Sequence, residues 1–269
     1  SSTSSDPSAS PIADLEALGS TGNPIILVTG GARRVGRAIA ESFAAAGCDV
    51  LITFNSSREE AEIAAAELQR HNVLAAAAHA DFDDDAAADL FARRIASSLP
   101  RLDVLVHNAS IYSPSPLDEL DAGTILRNYR VNAMSPLLLT ARLSRLLANS
   151  GLAGGGAVVA MCDMHALGRP RKDFAAYAMS KAALIEMVRS LARDMAPLVR
   201  VNGVAPGVVA WPDQGYESDE AEQAKYIRRI PLGRSGTPEE AADVVRWLAL
   251  EATYITGEVL RIDGGRWLT

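Results

Sequence analysis

Pro24-Ile25-Ile26-Leu27-Val28-Thr29-Gly30-Gly31-Ala32-Arg33-Arg34-Val35-Gly36 is the stretch on which the fold of this chain turns. Residues 25–29 form a short, β-branched apolar run without polar alternation, the pattern of a strand buried on both faces. It runs straight into glycines. An Ala-rich amphipathic stretch over 33–46 follows and is closed by Gly47. The glycines permit a tight turn and close backbone approach, and the free N–H groups and dipole of the helix that follows favour a phosphate. A glycine-rich turn alone is commonplace. Placed after the first strand of an alternating chain, this one is expected to bind a dinucleotide.

The alternation continues outward from this loop. Further strands are predicted at 50–54, 73–79, 103–107, 157–161, 199–204 and 258–262, and further helices at 58–70, 84–98, 119–148 and 174–196. The fold class is therefore α/β: a single doubly wound Rossmann-type domain, with a mostly parallel seven-stranded sheet and helices on both faces. It should span residues 24–269. Residues 1–23, rich in Ser, Gly, Pro and Thr, read as a flexible tail.

Composition bounds the function. The chain has 269 residues, 48% hydrophobic and 22% charged, enough to bury a large core. Its formal net charge of −7 gives no general attraction for DNA, RNA or anionic lipid, so neither nucleic acid nor membrane is expected as a partner. A local basic pocket for a small anion remains compatible with that balance. Cys48 and Cys162 stand far apart, with no disulfide or metal-site spacing, so no metal is expected and a reducing compartment is the default. No apolar run approaches the roughly 20 residues of a membrane helix, and no signal peptide is visible, so a cytoplasmic location is expected.

The end of the second strand selects the cofactor. An NAD site offers an acid there for the ribose hydroxyls. Here the chain reads Thr53-Phe54-Asn55-Ser56-Ser57-Arg58, with no carboxylate until Glu59 and Glu60 inside the next helix. Asn55, Ser56, Ser57 and Arg58 instead suit a 2′-phosphate, and Arg33 or Arg34 can add charge from the glycine loop. NADPH is the expected cofactor.

Tyr177-Ala178-Met179-Ser180-Lys181 places a phenol and an ammonium at i and i+4 on one helix face. The ammonium should stabilise phenolate and lower the tyrosine pKa toward neutrality, making it a proton donor and acceptor. With this pair come Asp81 after strand three, Asn108-Ala109-Ser110 after strand four, Asn132, Pro206-Gly207 after strand six, Ile255-Thr256-Gly257 and Asp263-Gly264-Gly265. In that order, the set resembles the short-chain dehydrogenases/reductases over residues 24–265. The resemblance implies that Tyr177 exchanges the proton, that Lys181 tunes it and holds the nicotinamide ribose, and that Asn132 helps hold a water relay. It also implies cofactor contacts from Gly30, Val35, Asp81, Phe82, Asn108, Ala109, Ser110, Pro206, Gly207 and Val208. A substrate loop is expected near 207–232, and a homotetramer using the strand near 258–263.

Two departures point to a branch. The middle glycine of the family's Thr-Gly-x-x-x-Gly-x-Gly loop is Arg34, and the catalytic serine after strand five is replaced in Ala160-Met161-Cys162-Asp163-Met164. Both resemble the pteridine reductases and dihydromonapterin reductases, as does Asn108-Ala109-Ser110-Ile111-Tyr112, with Tyr112 in the slot of the aromatic that stacks on the pterin. That branch implies substrate contacts from Arg34, Ser110, Tyr112, Asp163 and Tyr177. Trp211 lies in the substrate loop and either lines the pocket or anchors the loop. The spacing from Asp163 to Tyr177 is one residue longer than usual, so either the loop after Asp163 absorbs a residue or Met164 takes the slot. The expected function is NADPH-dependent reduction of a dihydropterin, extending to dihydrofolate or oxidised pterin. The alternatives are a 3-oxoacyl-type carbonyl reductase and a non-catalytic NADP-sensing protein.

Overall fold

The computed structural model describes Leu15 and residues 17–213 and 215–269. Seven strands build one sheet: β1 (Ile25–Val28), β2 (Asp49–Phe54), β3 (Ala75–His79), β4 (Val104–His107), β5 (Gly156–Met161), β6 (Val199–Pro206) and β7 (Val259–Ile262). Their order is β3-β2-β1-β4-β5-β6-β7, and every neighbouring pair is parallel. The order reverses between β1 and β4, which opens a crevice at the carboxyl ends of those strands, where this class of sheet binds ligands.

Alternation along β1 shows why this strand carries no polar residue. Ile25 and Leu27 enter the core on one side of the sheet, Ile26 and Val28 the core on the other, and all four are fully buried. Each such side chain contributes roughly 1.5–3 kcal/mol of burial, so a polar residue on either face would be costly.

Helices cover both faces. They are α1 (Arg34–Ala45), α2 (Arg58–Leu68), α3 (Asp85–Ser98), α4 (Ala122–Tyr129), α5 (Ser135–Ala148), α6 (Ala175–Met195), α7 (Glu220–Ile227) and α8 (Pro238–Leu250). The helix expected over 119–148 starts later, at the Asp121 cap, and is interrupted by a π-turn, Arg130–Met134, between α4 and α5. Two helices, α7 and α8, lie outside the predicted set. A capping box marks the start of α8, where Thr237 and Glu240 satisfy each other's backbone N–H groups and Pro238 sits at the first helical position. Buried Arg200 of β6 donates to the carbonyls of Leu248, Ala249 and Ala252 and so closes the other end of α8.

The flexible tail requires correction at its end. Leu15 and Leu18 are buried in the core, and Thr21 and Asn23 donate to the Asp49 carboxylate at the head of β2. Two leucines three residues apart present one apolar edge, which outweighs the Ser/Gly-rich composition around them. Residues 1–14 and 16 lie outside the described residues. Cys48 and Cys162 are free and buried.

Candidate active site

A cleft of about 880 Å³ lies over the carboxyl ends of β1 and β4–β6. Its first wall is the glycine loop. A side-chain carbon on Gly36 would stand 2.1 Å from the Gly30 carbonyl oxygen and 2.5 Å from Asn108 Nδ2, so helix and loop meet backbone to backbone there. Asn108 Nδ2 donates to the carbonyls of Thr29 and Gly30 and locks the turn from below. No side chain caps the start of α1, and its first turn holds no acid. Those N–H groups are left for an anion, and the loop fits a dinucleotide pyrophosphate.

Arg34 occupies the position of the missing glycine with φ 52°, in the left-handed region. A side chain there costs about 1–2 kcal/mol. Arg34 lines the cleft, and its guanidinium donates to Trp211 O (2.6 Å) and pairs with Asp213 (3.1 Å). It thus clasps the loop that roofs the cleft.

At the adenosine end, Arg33, Asn55, Ser56, Ser57, Asp81 and Phe82 all line the cleft. Asp81 Oδ1 accepts from Asp83 N (2.9 Å) and Asn55 Nδ2 (3.4 Å). Arg58 does not line it. Its guanidinium lies over the Phe54 ring, 5.5 Å from the centroid, and pairs with Glu62. The first helical position of α2 lays this side chain over Phe54, at the end of β2, and along the helix toward Glu62. Arg33, from the glycine loop, does line the cleft and is paired with Glu60 at 3.1 Å.

Under the other half of the cleft is a buried hydrogen-bonded floor. Tyr177 Oη donates to Asp163 Oδ2 at 2.8 Å, while Asp163 Oδ1 accepts from His165 N and caps the 3₁₀ turn Met164–Leu167. That turn takes up the extra residue. Asp163 faces Tyr177, and Met164 is buried. Lys181 Nζ donates to Met161 O at 2.7 Å and lies 5.9 Å from the Tyr177 ring centroid.

The tyrosine pKa moves opposite to expectation. Burial chiefly, and then the Asp163 charge and hydrogen bond, raise it well above its ordinary value. Burial also pulls the Lys181 ammonium down. Tyr177 is therefore a phenol that holds its proton. In the π-turn, Asn132 Oδ1 accepts from Ile111 N and Ser110 Oγ, and its Nδ2 donates to Ile111 O and Ser180 Oγ. Its side chain is engaged with protein groups and positions the segment after β4.

Tyr112 is half exposed in the cleft wall. Phe174 stacks on it (centroids 4.7 Å, 25°), and Tyr177 meets it edge-on at 4.9 Å. The Tyr112 hydroxyl donates to Glu217 (2.7 Å) and accepts from Arg171. Phe174, Arg171 and Glu217 are not marked as site residues by the sequence pattern: Phe174 reads as the start of the helix it caps, Arg171 lies in the loop before it, and Glu217 lies in a 3₁₀ turn. Ala109, Ser110, Val35, Pro206, Gly207, Val208 and Trp211 line the cleft as expected. Trp211 does both things open to it: its ring packs edge-on against Tyr226, and its carbonyl receives Arg34. The expected loop over 207–232 carries α7 within it.

Comparison with known proteins agrees with this geometry. A family described as Enoyl-(Acyl carrier protein) reductase matches residues 30–266. The chain is 33% identical to a 3-oxoacyl-[acyl-carrier-protein] reductase of Aquifex aeolicus, over 90% of this chain and 96% of that one. It is equally 33% identical to pteridine reductase 1 of Leishmania tarentolae, over 91% and 97%. A short-chain dehydrogenase/reductase from Serratia marcescens superposes with a TM-score of 0.81 at 32% identity, covering 90% of this chain and 97% of that one. With a phosphate-ready glycine loop, a buried Tyr–Lys helix and a parallel sheet reversing above them, the chain belongs to the short-chain dehydrogenase/reductase family of oxidoreductases.

Proposed function

We propose that this protein is an NADPH-dependent reductase of dihydropterins, extending to dihydrofolate and oxidised pterin. The observation that carries this reading is the Asp163 carboxylate on the Tyr177 hydroxyl. A carboxylate is a poor partner for a carbonyl oxygen, because both are acceptors. It suits the amino and ring N–H groups of a pterin, which donate.

Arg33, Asn55, Ser56 and Ser57 would hold the 2′-phosphate, the glycine loop the pyrophosphate, and Asp81 and Phe82 the adenine side. Asn108, Ala109, Ser110, Lys181 and the Pro206–Val208 segment would flank the nicotinamide half. When bound, NADPH supplies the hydride. The protein supplies position and the proton. Burial keeps that proton on Tyr177 Oη, directed at Asp163 Oδ2. A substrate N–H that donates to Asp163 takes over this acceptor and frees the phenol to donate to the ring nitrogen. Tyr112, backed by Phe174, offers the flat wall against which a pterin ring can stack.

Self-association belongs to this reading. Leu126, Tyr129, Leu137, Leu138 and Met179 leave apolar surface exposed on α4–α6, and β7 is a sheet edge with Leu260 exposed. A homotetramer in the cytoplasm fits these features. Among the described residues no helix is long and apolar enough to cross a membrane.

The equal identity to a 3-oxoacyl reductase supports one rival, carbonyl reduction. Following NADPH oxidation at 340 nm with dihydrobiopterin and with an acetoacetyl thioester separates the two. Rapid turnover of the pterin, lost in Asp163→Ala, sustains the proposal. Turnover of the thioester alone ends it.

A further inference from the structure

Beside the catalytic cleft lies a second chamber of about 510 Å³, with Trp211, Glu217 and Tyr226 lining both. Its charge runs against that of the whole chain, whose formal net charge is −7. Six cationic side chains line it against two carboxylates, and both carboxylates are taken. Glu217 is held by Arg171 (2.5 Å) and the Tyr112 hydroxyl, and Glu222 by Lys225 and the Tyr216 hydroxyl. Arg169, Lys172, Arg229 and Arg266 line the same chamber, and none of them pairs with an acidic side chain among the described residues.

Arg266 is the anchor. It is only 6% exposed, its Nη1 donates to the carbonyl and hydroxyl oxygens of Thr269, and its Nε has no hydrogen-bond partner. An unpaired buried guanidinium N–H is expensive to leave unmade. Burial first, and then the neighbouring guanidinium groups of Arg169 and Arg229, weaken its hold on its proton, while Tyr226 opposes them. These cations repel one another, and among the described residues no acidic side chain pairs with Arg266, whose guanidinium lies over the Tyr226 ring at 5.3 Å.

We propose that this chamber is an anion subsite of the catalytic cleft, and that the substrate carries an anionic arm, a carboxylate or phosphate group, which reaches it past Trp211 and Tyr226. The proposal rests on the first cleft being the catalytic one. It adds a contact that strengthens binding of a charged substrate and that a neutral pterin or a neutral ketone does not use. Guanidinium groups suit such an arm because they bind carboxylate and phosphate oxygens in pairs.

The test uses the whole chain and the double variant Arg229→Gln, Lys172→Gln, both positions being exposed and free of partners the fold needs. Dihydrofolate, which ends in a dicarboxylate, is compared with dihydrobiopterin, whose side chain is neutral. Acetoacetyl-coenzyme A, which bears phosphates, is compared with ethyl acetoacetate. The expected result is a KM for the charged member of a pair raised about tenfold, kcat unchanged, and no change for the neutral member. A split seen in the thioester pair alone keeps the subsite, assigns it to a phosphate-bearing arm, and ends the pterin reading. Equal effects on charged and neutral substrates, or none on the charged one, overturn the subsite. Calorimetric titration with citrate gives a readout without turnover: binding by the parent and loss in the double variant are expected, and equal binding, or no binding by either, overturns the proposal.

Discussion

The floor and the roof of the catalytic cleft are built in opposite ways. The floor, from β4, β5, the π-turn and α6, is buried, and its polar atoms are spent on each other: Tyr177 on Asp163, Lys181 on Met161 O, Asn132 on Ser110, Ile111 and Ser180. The roof, from Trp211 through α7, is half exposed and held by single clasps: Arg34 to Trp211 and Asp213, Arg171 to Glu217 and Tyr112. A floor of this kind fixes where protons go. A roof of this kind opens and closes at lower cost than the floor, since its exposed Arg34–Asp213 pair contributes about 0–1 kcal/mol. Chemistry should therefore depend on the floor and substrate affinity on the roof.

Removing the hydroxyl at the centre of the floor is the strongest challenge to that division. Tyr177→Phe should lower kcat by roughly 10²-fold or more while leaving NADPH binding, followed by fluorescence, near the parent value. Comparable losses in kcat and NADPH affinity would show that floor and cofactor wall are not separable.

The pH response tests the floor through His107. This residue is buried at the end of β4, with its Nε2 on Thr140 Oγ1 at 2.7 Å, and burial chiefly, then Lys181, lowers its pKa to about 3. The unfolded chain takes up this proton near pH 6.5. Between those values the folded state binds fewer protons, so stability is present in full above about pH 6.5 and is lost as pH falls toward 3. At pH 4.5 the loss should be about 2–3 kcal/mol. Urea midpoints at pH 4.5 and 7.5 should converge in His107→Gln relative to the parent. An unchanged gap would remove His107 as the cause.

Arg34→Gly sharpens the roof. Relief of the left-handed strain and the greater freedom of glycine in the unfolded chain offset each other, so the melting temperature should stay within about 2 °C. The clasp is lost, and the KM for substrate should rise several-fold with kcat nearly constant. A collapse of kcat instead would place Arg34 in the floor's work. The smallest effect is expected at Arg58→Ala, within about twofold for both NADPH and NADH, because this side chain lies outside the cleft. Arg33→Ala should weaken NADPH several-fold and spare NADH, in line with one lost charge-assisted hydrogen bond.

Much of this architecture is legible in the order of residues. Strands buried on both faces leave a pure apolar run, and motif order alone places the glycine loop, Tyr177, Lys181, Asp163 and Tyr112 in one cleft. Three kinds of information stay hidden there. Side-chain direction at a helix start is one: Arg58 follows Ser57 directly, yet it turns onto Phe54 and Glu62. Environment is another, since an i,i+4 ammonium argues for a lowered tyrosine pKa while burial and Asp163 reverse the sign. The third is a change of helical pitch. Residues 122–148 carry one amphipathic pattern, and the π-turn that aims Asn132 inward leaves no mark on it. The start of α8 is different: Thr237-Pro238-Glu239-Glu240 spells a capping box that pattern reading alone can find.

Asp163 spends one carboxylate oxygen on Tyr177 and the other on the turn that follows β5. Chemistry and chain path at this point are thus written in a single codon. A lineage, or a designer, exchanging this acid for a hydroxyl would have one oxygen in place of two and would give up either the Tyr177 contact or the fastening of the turn. Keeping both contacts after such an exchange would take a second, compensating change in residues 164–168.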